Sequence, residues 1–141
     1  MAEKILGIDY GARRIGVAVA DAQIRIATPL TTLDGRNDAT RDARMIADFA
    51  KEQQSSLFVV GLPLNMSGSD SEQTRLARHF ADELARLSGC AVHLQDERLT
   101  SEASDEVLTE AAVAPRRRKG LTDRIAAQKI LQSWLDSRPA G

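Results

Sequence analysis

With one cysteine, Cys90, among 141 residues, the chain can form no internal disulfide, and a reducing cytoplasm is the expected compartment. No apolar run nears the ~20 residues that a membrane helix requires. The opening Met1-Ala2-Glu3-Lys4 runs into a strand-like segment without the apolar stretch of a secretory signal. No membrane partner is therefore expected. Cys90, His79 and His93 have no zinc-finger spacing, and both histidines read as structural, one on a helix flank and one in a strand. A Ser-His-Asp set, a P-loop, an internal repeat, a linker and a low-complexity tract are all missing. What remains is a single domain spanning residues 1–141, long enough for a real core.

Neither sign of charge dominates, since the net formal charge is −1. The distribution is uneven. Residues 111–141 carry seven Lys/Arg against two acids, a local +5, which leaves −6 on the first 110. A basic end on an acidic body suits a phosphate-facing surface, although Arg116-Arg117-Arg118-Lys119 is short enough to be only a solvated stretch.

The pattern predicts β-β-β-α-β-α-β-α-α. Lys4–Asp9 and Ile15–Ala20 are apolar and β-branched, with Gly11 at the reversal between them. Ala27–Leu33 contains Pro29, which favours an edge strand. Helical spacing covers 38–54, through Ala43, Ile46, Ala47 and Ala50, and 71–88, through Leu76, Phe80, Leu84 and Leu87. Gly89 ends the second helix. Leu57–Gly61 is a continuous apolar run and Ala91–Gln95 a fifth strand. A short helix is expected over 100–110, an arginine-rich loop over 111–120 and a last helix over 122–137. Three meandering strands followed by helical crossovers give an α/β fold, one five-stranded mixed sheet with helices on both faces.

Ligands of open α/β sheets gather at the carboxyl ends of the strands. Three acids should arrive there: Asp9 at the end of the first strand, Glu97 at the end of the fifth, and Asp123 on the first turn of the last helix. Asp123 continues the apolar stripe of Ala126, Ala127, Ile130, Leu131 and Trp134, so it should point at the sheet. Separately, Asp9 reads as a turn former, Glu97 as a surface charge or cap, and Asp123 as an acid at a helix N-terminus. Together they would repel by about several kcal/mol. A divalent cation removes that cost, and an all-oxygen site selects Mg²⁺ or Mn²⁺. Carboxylates around such an ion suit phosphodiester hydrolysis without a side-chain nucleophile.

Four ordered stretches then make the chain recognisable. They are Ile8-Asp9-Tyr10-Gly11 with Arg14-Ile15-Gly16-Val17-Ala18; Val60-Gly61-Leu62-Pro63-Leu64-Asn65 with Gly68; Asp96-Glu97-Arg98-Leu99-Thr100-Ser101 with Ala103; and Lys119-Gly120 with Asp123, Ala126-Ala127 and Ile130-Leu131-Gln132. They closely resemble the YqgF family, known as Holliday-junction-resolvase-like proteins or nucleases that mature the 5′ end of pre-16S ribosomal RNA, and the match extends over almost the whole chain. The resemblance implies a ribonuclease H-like fold, a metal-dependent endonuclease, and Asp9, Glu97 and Asp123 as its acidic triad. Thr122 and Arg124 depart from the apolar and small residues common beside the last acid.

The resemblance also implies that Arg14 and Arg98 neutralise phosphates or brace the acids, with an Asp96–Arg98 ion pair the competing role for Arg98. Asn65 lies in a rim loop, and Arg116, Arg117, Arg118 and Lys119 would hold a nucleic-acid backbone. Tyr10 could stack on a base or pack at its turn. A ribosomal RNA precursor is the favoured partner, and branched DNA the alternative, for a monomer or weak homodimer. Two further readings compete: an actin-like ATP-binding protein, through the first-loop likeness of Asp9-Tyr10-Gly11 with Asp21, and a non-catalytic assembly factor that uses only the basic end.

Overall fold

The computed structural model describes residues 3–99 and 115–138. Strands β1 (Lys4–Tyr10), β2 (Arg14–Asp21) and β3 (Ala27–Asp34) precede helix α1 (Ala39–Glu52), strand β4 (Ser55–Leu62) and helix α2 (Glu72–Ser88). Strand β5 (Ala91–Asp96), a 3₁₀ turn (Glu97–Leu99) and helix α3 (Pro115–Asp136) complete them. The sheet order is β3-β2-β1-β4-β5. The first three strands pair antiparallel, while β4 lies parallel to both β1 and β5. This is the expected five-stranded mixed sheet. Pro29 sits on an edge strand, beside a register shift between Val17 and Ala18.

Side chains alternate across a strand, and that alternation sorts the core into two layers. Leu6, Ile8, Tyr10, Ile15, Val17, Phe58 and Val60 pack beneath α1 and α2, against Ala43, Ile46, Ala50, Phe80 and Leu84. Ile5, Ala18, Ala20, Ala27 and Val59 face the other way and meet Ala127, Ile130, Leu131, Trp134 and Leu135 of α3. Local signals set the helix ends. The Asp38 side chain accepts from the amides of Thr40 and Arg41, Ser71 and Thr74 form a reciprocal capping box, and Gly89 closes α2 at φ 70°.

Two expectations need correction. Leu76 is 39% exposed, and Ala77 and Ala81 complete the buried face of α2 with Phe80 and Leu84. Small residues let α2 approach α1 on that side, so the buried stripe is rotated from the one that leucines alone suggest. The last helix starts at Pro115, so residues 115–120 are helical rather than part of an arginine-rich loop. Proline suits the first turn of a helix, where its missing N–H has no partner to lose. Asp123 consequently lies in the third turn. The helix expected over 100–110, and residues 111–114 of the expected loop, fall outside the described residues.

Candidate active site

Ile5, Gly7 and Asp9 share the face of β1 that looks toward α3, as Gly16, Ala18 and Ala20 do on β2 and Val59 and Gly61 on β4. Asp9 is paired in register with Gly16. A Cβ on Gly16 would run into the backbone carbonyl of Asp123, and one on Gly7 would come within 2.6 Å of Leu131 Cβ. On Gly61 it would lie 2.8 Å from the Glu97 carboxyl carbon. A lane of glycines across three adjacent strands therefore seats α3 directly on the sheet. It also clears the room that Glu97 occupies. Three acids from distant parts of the chain line one cleft of about 370 Å³, together with Gly11, Arg13, Arg14, Pro63 and Gln73.

The charges of the three acids act on one another. Burial pushes Asp9 above the usual carboxylate range, the negative charge of Asp123 adds to the rise, and a hydrogen bond with Glu97 opposes it. Glu97 is also pushed up, first by burial and then by the charge and the hydrogen bond of Asp9. The bond between the two acids raises Glu97 and lowers Asp9, so burial, the first cause for both, carries the rise of Asp9. Asp123 is matched differently: Arg14 Nε donates to Asp123 Oδ2 at 2.6 Å. Among the described residues no three such side chains are set closely enough to enclose an ion as they stand, and Asp123 is engaged with Arg14. The donor set fits a hard divalent cation nonetheless. All its oxygens are carboxylate, the donors that a hard cation prefers.

Of the other expected residues, Asn65 and Arg98 are not among those that line this cleft. Arg98 is bound to Asp96, with Nη2 to Oδ2 at 2.6 Å, and also donates to the Met66 carbonyl at 3.1 Å, tying the rim loop to the 3₁₀ turn. Asn65 braces that same loop, its amide donating to Ser69 Oγ at 3.0 Å. Tyr10 is among the residues that line the cleft, but its side chain packs on the opposite face of the sheet. Its ring stacks on Phe80 with centroids 4.2 Å apart, and its hydroxyl donates to the buried Asp42 at 2.8 Å. Of the two roles expected for Tyr10, packing at its turn is the one its side chain takes. Arg116, Arg117, Arg118 and Lys119 occupy the first turns of α3, leading toward Asp123 along the same helix.

Arg13, Pro63 and Gln73 also line the cleft, beyond the residues that the sequence singles out. Gln73 donates its side-chain amide to the Tyr10 carbonyl at 3.2 Å, linking α2 to the end of β1. No periodicity marks Gln73 or Pro63. Gly16 and Gly61 are a usable signal, because a glycine inside an apolar strand often marks a close approach.

A family model described as "RuvX: Holliday junction resolvase" matches residues 3–137. A protein of Anaeromyxobacter sp. named "Putative pre-16S rRNA nuclease" is 45% identical over 97% of this chain and 99% of its own length. A protein of the same name from Chloroflexus aurantiacus is 42% identical over 95% of this chain and 87% of its own. Among solved structures, RuvC of T. thermophilus in complex with a Holliday junction substrate superposes with a TM-score of 0.60. It is 14% identical and covers 96% of this chain and 95% of its own. That likeness shows a shared ribonuclease H-like architecture.

Proposed function

The chain belongs to the RuvX family, and from that premise we propose that this nuclease hydrolyses phosphodiester bonds in the precursor of 16S ribosomal RNA, with Asp9, Glu97 and Asp123 as its acidic triad. The observation that carries the reading is the meeting of these three acids, from β1, the turn after β5 and α3, in one cleft. The near full-length relatives named for pre-16S rRNA support the choice of substrate.

Asp9, Glu97 and Asp123 would hold Mg²⁺ or Mn²⁺. Bound there, the ion would lower the pKa of an attacking water and offset charge on the leaving oxygen. The chain's own residues do the rest. The glycine lane fixes how close Asp123 comes to Asp9. Gln73 and the Tyr10–Asp42 bond pin the end of β1 from the opposite face. The Arg98–Asp96 pair ties the rim loop to the 3₁₀ turn that begins with Glu97. Arg13 and Arg14 supply positive charge at its mouth, and the helical run Arg116–Lys119 would grip the backbone of a substrate strand, positioning it without reading sequence.

The test is cleavage of a 16S precursor transcript by purified protein in Mg²⁺, with Asp9→Asn as control. Wild type should cut and the variant should not. Equal cleavage by both would assign the activity to a contaminant. The family description favours a second reading, resolution of four-way DNA. Paired cuts require a two-fold dimer, so a monomeric protein that cuts the transcript and leaves four-way DNA intact would exclude it.

A further inference from the structure

We infer that Arg14 is an internal counter-ion that competes with the divalent cation for Asp123. The inference rests on the triad reading above and adds to it a device that regulates occupancy of the same site. Arg14 is the first residue of β2, two positions before Gly16, the glycine against which the Asp123 backbone lies. Backbone geometry thus delivers the guanidinium to Asp123 rather than to a surface acid. The contact is short, 2.6 Å from Nε to Oδ2, and asymmetric: the Asp123 side chain is 18% exposed and that of Arg14 44%. The acid is fixed in the cleft while the base sits at its mouth with a route to solvent. Arg14 and Asp123 both line the cleft that holds Asp9 and Glu97.

The same four residues do not enclose an ion as they stand. A carboxylate that accepts a guanidinium hydrogen bond has one oxygen committed, and a second cation beside it is repelled. A divalent ion binding to Asp123 therefore competes with Arg14 for the same negative charge and favours its withdrawal. The freed guanidinium, still anchored at the mouth, then faces whatever lies across the cleft opening. An oligonucleotide phosphate is the anion that the proposed reaction brings there, and a planar guanidinium suits phosphate oxygens. Arg14 is thus a positioning residue in the metal-free state, and the nucleic acid and the cation should promote each other's binding through it.

Binding of Mg²⁺ and Mn²⁺, measured by titration calorimetry without nucleic acid, tests this. Arg14→Met keeps the aliphatic stem and removes the competitor. It should bind metal about three- to tenfold more tightly than wild type at low salt, with the gap closing at high salt, and Arg14→Lys should fall between them. Thermal unfolding gives a second readout. Arg14→Met should melt below wild type in EDTA, and the difference should shrink in saturating Mg²⁺. Unchanged or weaker metal binding by Arg14→Met would overturn the inference and make Arg14 a brace for Asp123. If Asp9→Asn also binds metal like wild type, the triad reading itself has failed. If Asp9→Asn loses the metal while Arg14→Met behaves like wild type, only the role of Arg14 is refuted.

Discussion

Single atoms decide how close the acids come. Gly16 has no room for a methyl group, because the Asp123 backbone occupies that space. Gly16→Ala should cost about 1–3 kcal/mol or more through overpacking. It should also weaken Mg²⁺ binding, since α3 must move and carry Asp123 with it. Gly89 provides the contrast: it has a positive φ of 70° and nothing within 4 Å of an added Cβ. Gly89→Ala should cost about 1–2 kcal/mol of backbone strain and leave metal binding intact. Melting curves and calorimetry of the two variants check the pair; equal metal affinity in both would break the link between the lane and the site. Asp9→Asn should lower cleavage by at least about a hundredfold, beyond what losing a group behind the ligands typically costs. At this scale the sequence is informative about the acids, because an acid after an apolar strand has few places to go. It is silent about Asp42, a fully buried acid on α1 satisfied by the Tyr10 hydroxyl and the Arg36 amide. Nothing local distinguishes Asp42 from the exposed charges around it, since its partners come from β1 and from the loop before α1.

Helices and strands carry the next set of constraints. The strands are legible because β-branched runs bounded by turns have few alternatives, and α1 and α2 because their caps are explicit in Asp38, Ser71 and Gly89. The start of α3 is not legible. Pro115 followed by four basic residues reads as a loop, yet a proline is compatible with a first helical turn and the arginines are good helix formers. The helical run has a consequence for binding, because it places Arg116, Arg117, Arg118 and Lys119 on the same helix as Asp123. Replacing all four with Gln should reduce affinity for the RNA transcript and flatten its salt dependence. On a single strand the log–log slope should drop by about 0.7 for each phosphate that is no longer neutralised. Thermal stability should barely change. Filter binding across a salt series measures this, and an unaltered slope would remove the basic run from the interface.

At the scale of the molecule, the sheet separates two cores and gathers its acids in a cleft at one end, and that arrangement makes stability depend on pH. Asp9 and Glu97 are both raised above the ordinary carboxylate range by burial and by neighbouring charge. Protonation is therefore favoured in the folded state. The stabilisation is complete below the ordinary carboxylate pKa of about 4, and it is lost as pH rises through the raised values. Glu83 works in the opposite sense. Hydrogen bonds from Arg86 and Thr40 hold it at about 2, so its contribution is lost only in stronger acid and leaves the window from pH 5 to 8 clear. In EDTA the melting temperature should fall across that window. The increment from added Mg²⁺ should grow over the same range, because the ion binds the deprotonated acids. Asp9→Asn should flatten both trends, and a wild-type increment independent of pH would contradict the protonation of Asp9 and Glu97 in the folded state.

The most direct measurement is anomalous diffraction from a crystal soaked in Mn²⁺. A peak should lie between Asp9, Glu97 and Asp123, with carboxylate oxygens at about 2.0–2.3 Å and Arg14 withdrawn from Asp123. An ordered cleft without such a peak at millimolar Mn²⁺, or a peak bound only elsewhere, would contradict a three-carboxylate metal site.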